Sequence, residues 1–169
     1  MKPVNKKEFW KDRIEFAEKT IEHYSVFISN EDVWERINRD HEETFKREIK
    51  ETDKVLDAGC AYGRSSIYFN NYVGVDFSPD FIFKAIEKFP KKKFLVADIK
   101  KLPFEDKEFD VAFCISIKAM IASNLGEEEW LKMEKELHRV AKKVLIMEYT
   151  GSNEYERWEN GETTYEKIK

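Results

Sequence analysis

Residues 55–63 read V-L-D-A-G-C-A-Y-G, and this stretch decides the fold. A short apolar run reaches an acid, Asp57, and then turns on Gly59 and Gly63 toward a helix. A second run, V-G-V-D, ends at Asp76, and a third, F-L-V-A-D, ends at Asp98. Three parallel strands that each deliver a carboxylate to one edge form a nucleoside-binding crevice, because ligands of open α/β sheets sit at the carboxyl ends of the strands.

Outward from this stretch, strand-length apolar runs recur at 55–58, 72–75, 94–97, 109–115 and 143–149, with helical stretches between them. Ser78-Pro79 opens a helix, with Ser as cap and Pro in the first turn. Its buried side is expected at Ile82, Ala85, Ile86 and Phe89. A second helix over 127–141 carries Trp130, Leu131, Met133, Leu137 and Val140. The alternation predicts an α/β fold: a Rossmann-like, doubly wound, mostly parallel sheet of five or more strands. The connection from Gly63 to Tyr72 leaves room only for a short helix.

Residues 1–50 carry no sheet signal and read as two N-terminal helices. The first starts at Asn5-x-x-Glu8 and turns Trp10, Ile14, Ala17, Ile21 and Tyr24 to one face. The second follows Ser29 or Asn30, with Trp34, Ile37, His41, Phe45 and Glu48 or Ile49 on one stripe. After Tyr149 the pattern thins. Asn160-Gly161 between two alternating arms signals a hairpin, and a frayed acidic tail is the other reading. The organisation expected is one domain over 1–169: a helical cap or lid at 1–50, an α/β core at 54–149, and a shortened C-terminal end at 150–169.

Composition narrows the function classes. The 169 residues are 41% hydrophobic and 38% charged, the latter well above the usual quarter. Abundant Lys, Glu and Ile hint at a thermophilic source. A net charge of −4 and a pI near 5.6 speak against nucleic acid as the main partner. The basic runs at 91–93, 100–101 and 142–143 read as solvated turn residues. No apolar run approaches the roughly 20 residues needed to span a bilayer, and no apolar segment follows the first residues as in a secretion signal. Cys60 and Cys114 suggest neither a disulfide framework nor a metal site. A cytoplasmic location is expected.

The turn itself discriminates among ligands. A dinucleotide site wants G-x-G-x-x-G; registered on Gly59, this chain has Ala61 and Arg64 at the second and third glycines. The second glycine lets backbone approach a pyrophosphate, and an acid near the turn repels one. Asp76 lies where a carboxylate accepts from ribose hydroxyls, with Phe77 next to it for an adenine face. Asp98 can accept from an exocyclic amine, with the backbone of Ile99 nearby. Acids without a phosphate cradle suit a cationic adenosine, and S-adenosylmethionine is such a molecule.

Residues 54–149 resemble the class I S-adenosylmethionine-dependent methyltransferases. The likeness is carried by V-L-D-A-G-C-A-Y-G, V-G-V-D-F-S-P-D-F, F-L-V-A-D-I-K-K-L-P-F-E-D-K-E-F-D-V-A-F and L-H-R-V-A-K-K-V-L-I-M-E-Y. The resemblance implies that Asp57, Gly59, Cys60, Ala61 and Gly63 surround the methionine part of the cofactor. It places Asp76 and Phe77 at ribose and adenine, Asp98 and Ile99 at the adenine edge, and Ile115 and Ser116 along the methyl donor. It implies methyl transfer to a small-molecule acceptor by in-line displacement. A general base is then optional, and no catalytic residue is named. RNA- or protein-directed transfer, or a non-catalytic subunit serving a partner, are the alternatives. The fourth run ends F-C-I-S-I-K, unlike the Asn/Asp-Pro-Pro-Tyr run of enzymes that methylate adenine or glutamine amines, and Cys114 reads as a buried strand residue. Acceptor-pocket candidates are His23, Tyr24, Trp34, Glu148 and Tyr149, with the segment 118–126. Two departures stand out. R-V-A-K-K replaces the family's Pro-Gly-Gly type turn, and few residues remain for the two strands and helix that usually follow the fifth strand. An uncovered sheet edge there suggests a homodimer.

Overall fold

The computed structural model describes residues 31–148, 154–159 and 162–167. The chain falls into two units, Met1–Glu48 and Ile49–Lys169. In the first, helix α1 spans Glu31–Glu48. Ile37, His41, Thr44, Phe45 and Glu48 are buried, at the three- and four-residue steps of one helical stripe. Lys46 and Arg47 sit in the last turn, where they complement the helix dipole. The helix expected from Asn5 to Tyr24 lies outside the described residues.

The second unit is built on a seven-stranded sheet. Its strands are β1 (Val55–Ala58), β2 (Tyr72–Asp76), β3 (Lys93–Val96), β4 (Phe109–Ile115), β5 (Ala141–Glu148), β6 (Glu154–Glu159) and β7 (Glu162–Lys167), in the order β3-β2-β1-β4-β5-β6-β7. β1 to β5 pair in parallel, and β6 and β7 run antiparallel to their neighbours. The chain winds outward from β1 through β2 to β3, then returns to β4 on the other side of β1. This reversal between β1 and β4 is the topological switch point, where such sheets bind ligands.

Helices cover both faces. α2 (Pro79–Lys88) packs on β2 and β3, and α4 (Glu127–Val140) on β4 and β5. Between β4 and α4 lies α3 (Lys118–Leu125). Under α4, Leu56, Ala58, Val73, Val75, Ala112, Val144 and Ile146 meet Trp130, Met133, Leu137 and Val140 in one cluster. The alternate strand residues point to the other face, where the rings of Phe69, Tyr72, Phe94 and Phe113 gather. Cys114 is fully buried in β4.

Several expected boundaries shift. The tight connection after β1 is a five-residue 3₁₀ helix, Arg64–Tyr68. β1 continues to Ala58, so Asp57 lies inside the strand rather than at its end. β3 stops at Val96, which leaves Asp98 beyond it. α2 buries Phe81, Ile82 and Ala85, whereas Ile86 is 47% exposed. The face is rotated because Phe81 packs edge-on against Tyr62 of the glycine turn, with ring centroids 4.9 Å apart. Leu131 is exposed for a similar reason: α4 meets the sheet through 130, 133, 137 and 140.

The missing glycine turn before β5 has a structural replacement. α4 ends at Val140 and β5 begins at Ala141, with no residue between. The carbonyls left over at the helix end are taken by Lys107. Its N–H donates to Arg139 O at 2.8 Å and its Nζ to Ala141 O at 2.9 Å and to His138 O. Arg139 in turn donates to the carbonyls of Leu102 and Phe104. Charged hydrogen bonds thus tie the helix-free connection from β3 to β4 onto α4.

At the C-terminal end, the hairpin reading holds and the frayed tail does not. β6 pairs along β5 from Lys143↔Glu159 to Glu148↔Glu154, and β7 folds back with Glu159↔Glu162. That register leaves a two-residue connection, as the Asn160-Gly161 signal requires, although those two residues lie outside the described set. β6 therefore covers the edge of β5. Among the described residues, no helix is long and apolar enough to cross a membrane.

Candidate functional site

The turn after β1 is held in a left-handed backbone. Gly59, Ala61 and Gly63 have φ of 83°, 45° and 71°. The N–H groups of Gly59 and Cys60 both donate to Val75 O, at 2.8 and 2.9 Å, so the turn bends over the end of β2. A side chain at Gly59 would meet Ile117 Cδ1 at 1.9 Å, and one at Gly63 would meet the Phe94 ring at 2.5 Å. Gly63 therefore serves close packing against the protein. Ala61 takes a conformation that costs an L-residue roughly 1–2 kcal/mol. Its N–H is rewarded with Asp76 Oδ2 at 3.0 Å.

Asp76 closes β2 and is 6% exposed. Besides Ala61, it accepts from Ser78 N–H at 2.9 Å and from Phe77 N–H. Burial pushes its pKa up to about 6, against the pull of those three N–H groups. The same carboxylate therefore joins the turn to the start of α2, where Ser78 Oγ caps Phe81 N–H at 3.5 Å. Phe77, next to this buried acid, is 47% exposed.

Asp57 is 3% exposed, on the same sheet face as Asp76. Its Oδ2 accepts from Tyr72 Oη at 2.8 Å. Burial pushes its pKa up to about 7; the Tyr72 hydrogen bond and the Arg64 charge oppose this. Cys60 is buried beside them, and burial together with the charges of Asp57 and Asp76 holds its thiol well above the ordinary range. Asp98 is open to solvent and accepts from Lys100 N–H at 2.9 Å.

Across the switch point, Ile115 ends β4. Ser116 follows with φ of 57°, its N–H donating to Met147 O at 2.7 Å. This bend throws Ile117 back over Gly59, where Ile99 also arrives. Glu148, at the end of β5, accepts from the N–H groups of Lys118 at 2.8 Å and Ala119 at 3.3 Å, and so caps α3. Burial still raises its pKa.

The fold thus brings Gly59, Cys60, Ala61, Asp57, Asp76, Ile99 and Ser116 to one end of the sheet, with Phe77 and Asp98 at its rim. Gly63 sits behind the turn. Trp34 is half-buried on α1 in the other unit, and His23, Tyr24 and Tyr149 lie outside the described residues. Tyr72 and Ile117 were not anticipated. A ring two residues before Gly74 on the same strand face was the available signal for Tyr72.

The donor set fits a cationic adenosine. The N–H that a pyrophosphate would need, at Ala61, is committed to a carboxylate, which favours a cation and repels a phosphate.

Comparison with known proteins agrees. The sequence model of a methyltransferase domain matches residues 55–144. An uncharacterised protein of Methanocaldococcus jannaschii is 34% identical over 117 residues, covering 69% of this chain and 44% of that protein. A sterol 4-C-methyltransferase of Caenorhabditis elegans is 32% identical over 126 residues, covering 66% of this chain and 36% of that enzyme. The crystal structure of a Pyrococcus horikoshii protein superposes with a TM-score of 0.60 at 31% identity, covering 72% of this chain and 60% of that one. The chain spans less than half the length of these two curated relatives. With more than half of its residues matched by the domain model, the chain belongs to the methyltransferase domain family, class I methyltransferases that use S-adenosylmethionine as methyl donor.

Proposed function

We propose that this chain binds S-adenosylmethionine at the carboxyl ends of β1, β2 and β4 and directs its methyl group to a small-molecule acceptor. The observation that carries the reading is the pair of buried acids, Asp57 and Asp76, around a left-handed turn whose middle N–H is closed to phosphate. Asp76 accepts from a ribose hydroxyl, since its three backbone N–H partners leave its two oxygens one further acceptor site. Phe77 lies against adenine, with Asp98 and Ile99 at its edge. The backbone of Gly59, Cys60, Ala61 and Gly63 shapes the space for the methionine part, and Ile115 and Ser116 line the donor. Asp57 acts as a buried counter-charge, because at 3% exposure it offers little open surface. When bound, the cofactor supplies an activated methyl group; the chain contributes binding, orientation and the exclusion of water.

A small acceptor is favoured over RNA by the net charge of −4, and the sterol methyltransferase relative supports it. The test is titration calorimetry with S-adenosylmethionine on the wild type and Asp76→Ala, followed by labelled donor with fractionated cell extract. Binding lost in the variant and label in small molecules are expected. No wild-type binding overturns the cofactor reading; label in RNA or protein overturns the acceptor class; binding without transfer to any fraction leaves a non-catalytic subunit. A homodimer through the sheet edge would pair β3 or β7, the edge strands among the described residues. A strictly monomeric gel-filtration profile excludes it.

A further inference from the structure

We infer that Tyr72 is a positioning residue of this site: its hydroxyl holds the Asp57 carboxylate beneath the glycine turn and keeps it ready as the counter-charge of a cationic donor. The inference rests on the cofactor reading above and adds to it a residue outside the turn. Tyr72 opens β2 opposite Val55, and Gly74, two residues on, lies opposite Asp57. Residues two apart share a strand face, so the Tyr72 side chain runs along β2 and over Gly74 to reach the acid on the next strand. Its hydroxyl stands 2.8 Å from Asp57 Oδ2 and 2.8 Å from where a Cβ on Gly74 would be. Cys60 Sγ and Phe94 Cδ1 close on that same point at 2.9 and 2.8 Å. The passage exists because residue 74 has no side chain.

The ring has its direction fixed. Phe69 lies parallel to it at 6.3 Å and Phe94 meets it edge-on at 5.7 Å. Tyr72 and Asp57 are 4% and 3% exposed, so bulk water cannot stand in for the phenol. Among the described residues, the charged and titratable groups facing Asp57 are Arg64 from the 3₁₀ helix, Cys60 from the turn, Asp76 from the end of β2, and Tyr72 itself. Arg64 and Tyr72 favour the ionised acid, whereas burial and Asp76 favour the protonated one. Burial keeps the Tyr72 phenol and the Cys60 thiol protonated, so Tyr72 is a donor throughout the neutral range. Without its hydroxyl, Asp57 would keep its proton to higher pH, and a cationic ligand would meet a neutral group.

The test measures calorimetric affinity from pH 5.5 to 9 for S-adenosylmethionine and for its uncharged-sulfur product, S-adenosylhomocysteine. The proteins are the wild type, Tyr72→Phe, Asp57→Asn and the double variant. In the wild type, affinity for the cation is expected to rise with pH through neutrality. Tyr72→Phe should move that rise upward by about one pH unit, weaken binding about fivefold at pH 7, and regain most of it at pH 9. The product should be affected less, and Tyr72→Phe should add nothing once Asp57 is Asn. If Tyr72→Phe does not fold, 3-fluorotyrosine at position 72, a stronger donor of nearly the same size, should move the rise downward. An even loss at every pH, or an effect that persists with Asp57→Asn, overturns the inference and leaves the cofactor reading standing. A flat wild-type profile does the same. No wild-type binding at any pH removes both.

Discussion

Residue by residue, the site is a set of groups held away from their ordinary states. Asp57 and Asp76 are both raised by burial, to about 7 and about 6. In the folded chain they keep protons that the unfolded chain gives up above a pKa of 3.8. Their contribution to stability is therefore greatest below that value and is lost as pH rises through 6 and 7. Asp57→Asn removes one of these groups while leaving an acceptor for Tyr72. Urea denaturation should find the variant close to wild type near pH 4 and more stable at pH 8, by on the order of 2–4 kcal/mol. A wild type more stable than the variant at pH 8 would refute the assignment of burial as the dominant cause. Ala61 makes a second residue-scale case. Gly at this position relieves the left-handed backbone but adds freedom to the unfolded chain, two effects of about 1 kcal/mol and of opposite sign. Thermal melts should show Ala61→Gly near neutral and Ala61→Val clearly destabilised.

At the scale of elements, α3 and α4 are secured differently. α4 buries Trp130, Met133, Leu137 and Val140, so its hold is apolar. Trp130→Ala should cost about 3–5 kcal/mol in denaturant titrations. α3 has no fully buried residue, and its start is tied down by the Glu148 carboxylate reaching from β5. Glu148→Ala should cost about 1–2 kcal/mol, as the loss of a helix cap does. Amides at 118–121 should then exchange faster with solvent while those of α4 do not change. Glu148 was read as an acceptor-pocket candidate because it ends a strand at the crevice. Its capping role depends on a helix N-terminus arriving from elsewhere in the chain, which spacing along the sequence does not reveal.

For the whole molecule, the decisive feature is the antiparallel addition of β6 and β7 to the edge of β5. β6 pairs with β5 from Lys143 to Glu148, and the Val144–Met147 side chains of β5 are buried. Arg157 pairs with Leu145 on one side and Thr164 on the other, so a proline there removes a ladder N–H. Arg157→Pro should expose the edge of β5, and light scattering should detect concentration-dependent association beyond that of the wild type. An unchanged monodisperse profile would show that the hairpin does not protect this edge.

Much of this was legible in the chain itself. Periodicity, the glycine turn and the acids at 57, 76 and 98 determined a parallel α/β sheet, a crevice at the carboxyl ends of its strands and a ligand that is cationic and lacks phosphate. These are local properties, set by strand length, turn geometry and residue charge. Tertiary structure alone decided what those residues do to one another. It rotated α2 so that Phe81 is buried and Ile86 is not, laid Tyr72 across Gly74 onto Asp57, folded Ile117 over Gly59, and turned Glu148 to α3. Each of these depends on register between strands or on the angle at which a helix meets the sheet. Such distances are fixed only when distant parts of the chain pack, so no pattern of neighbouring residues contains them.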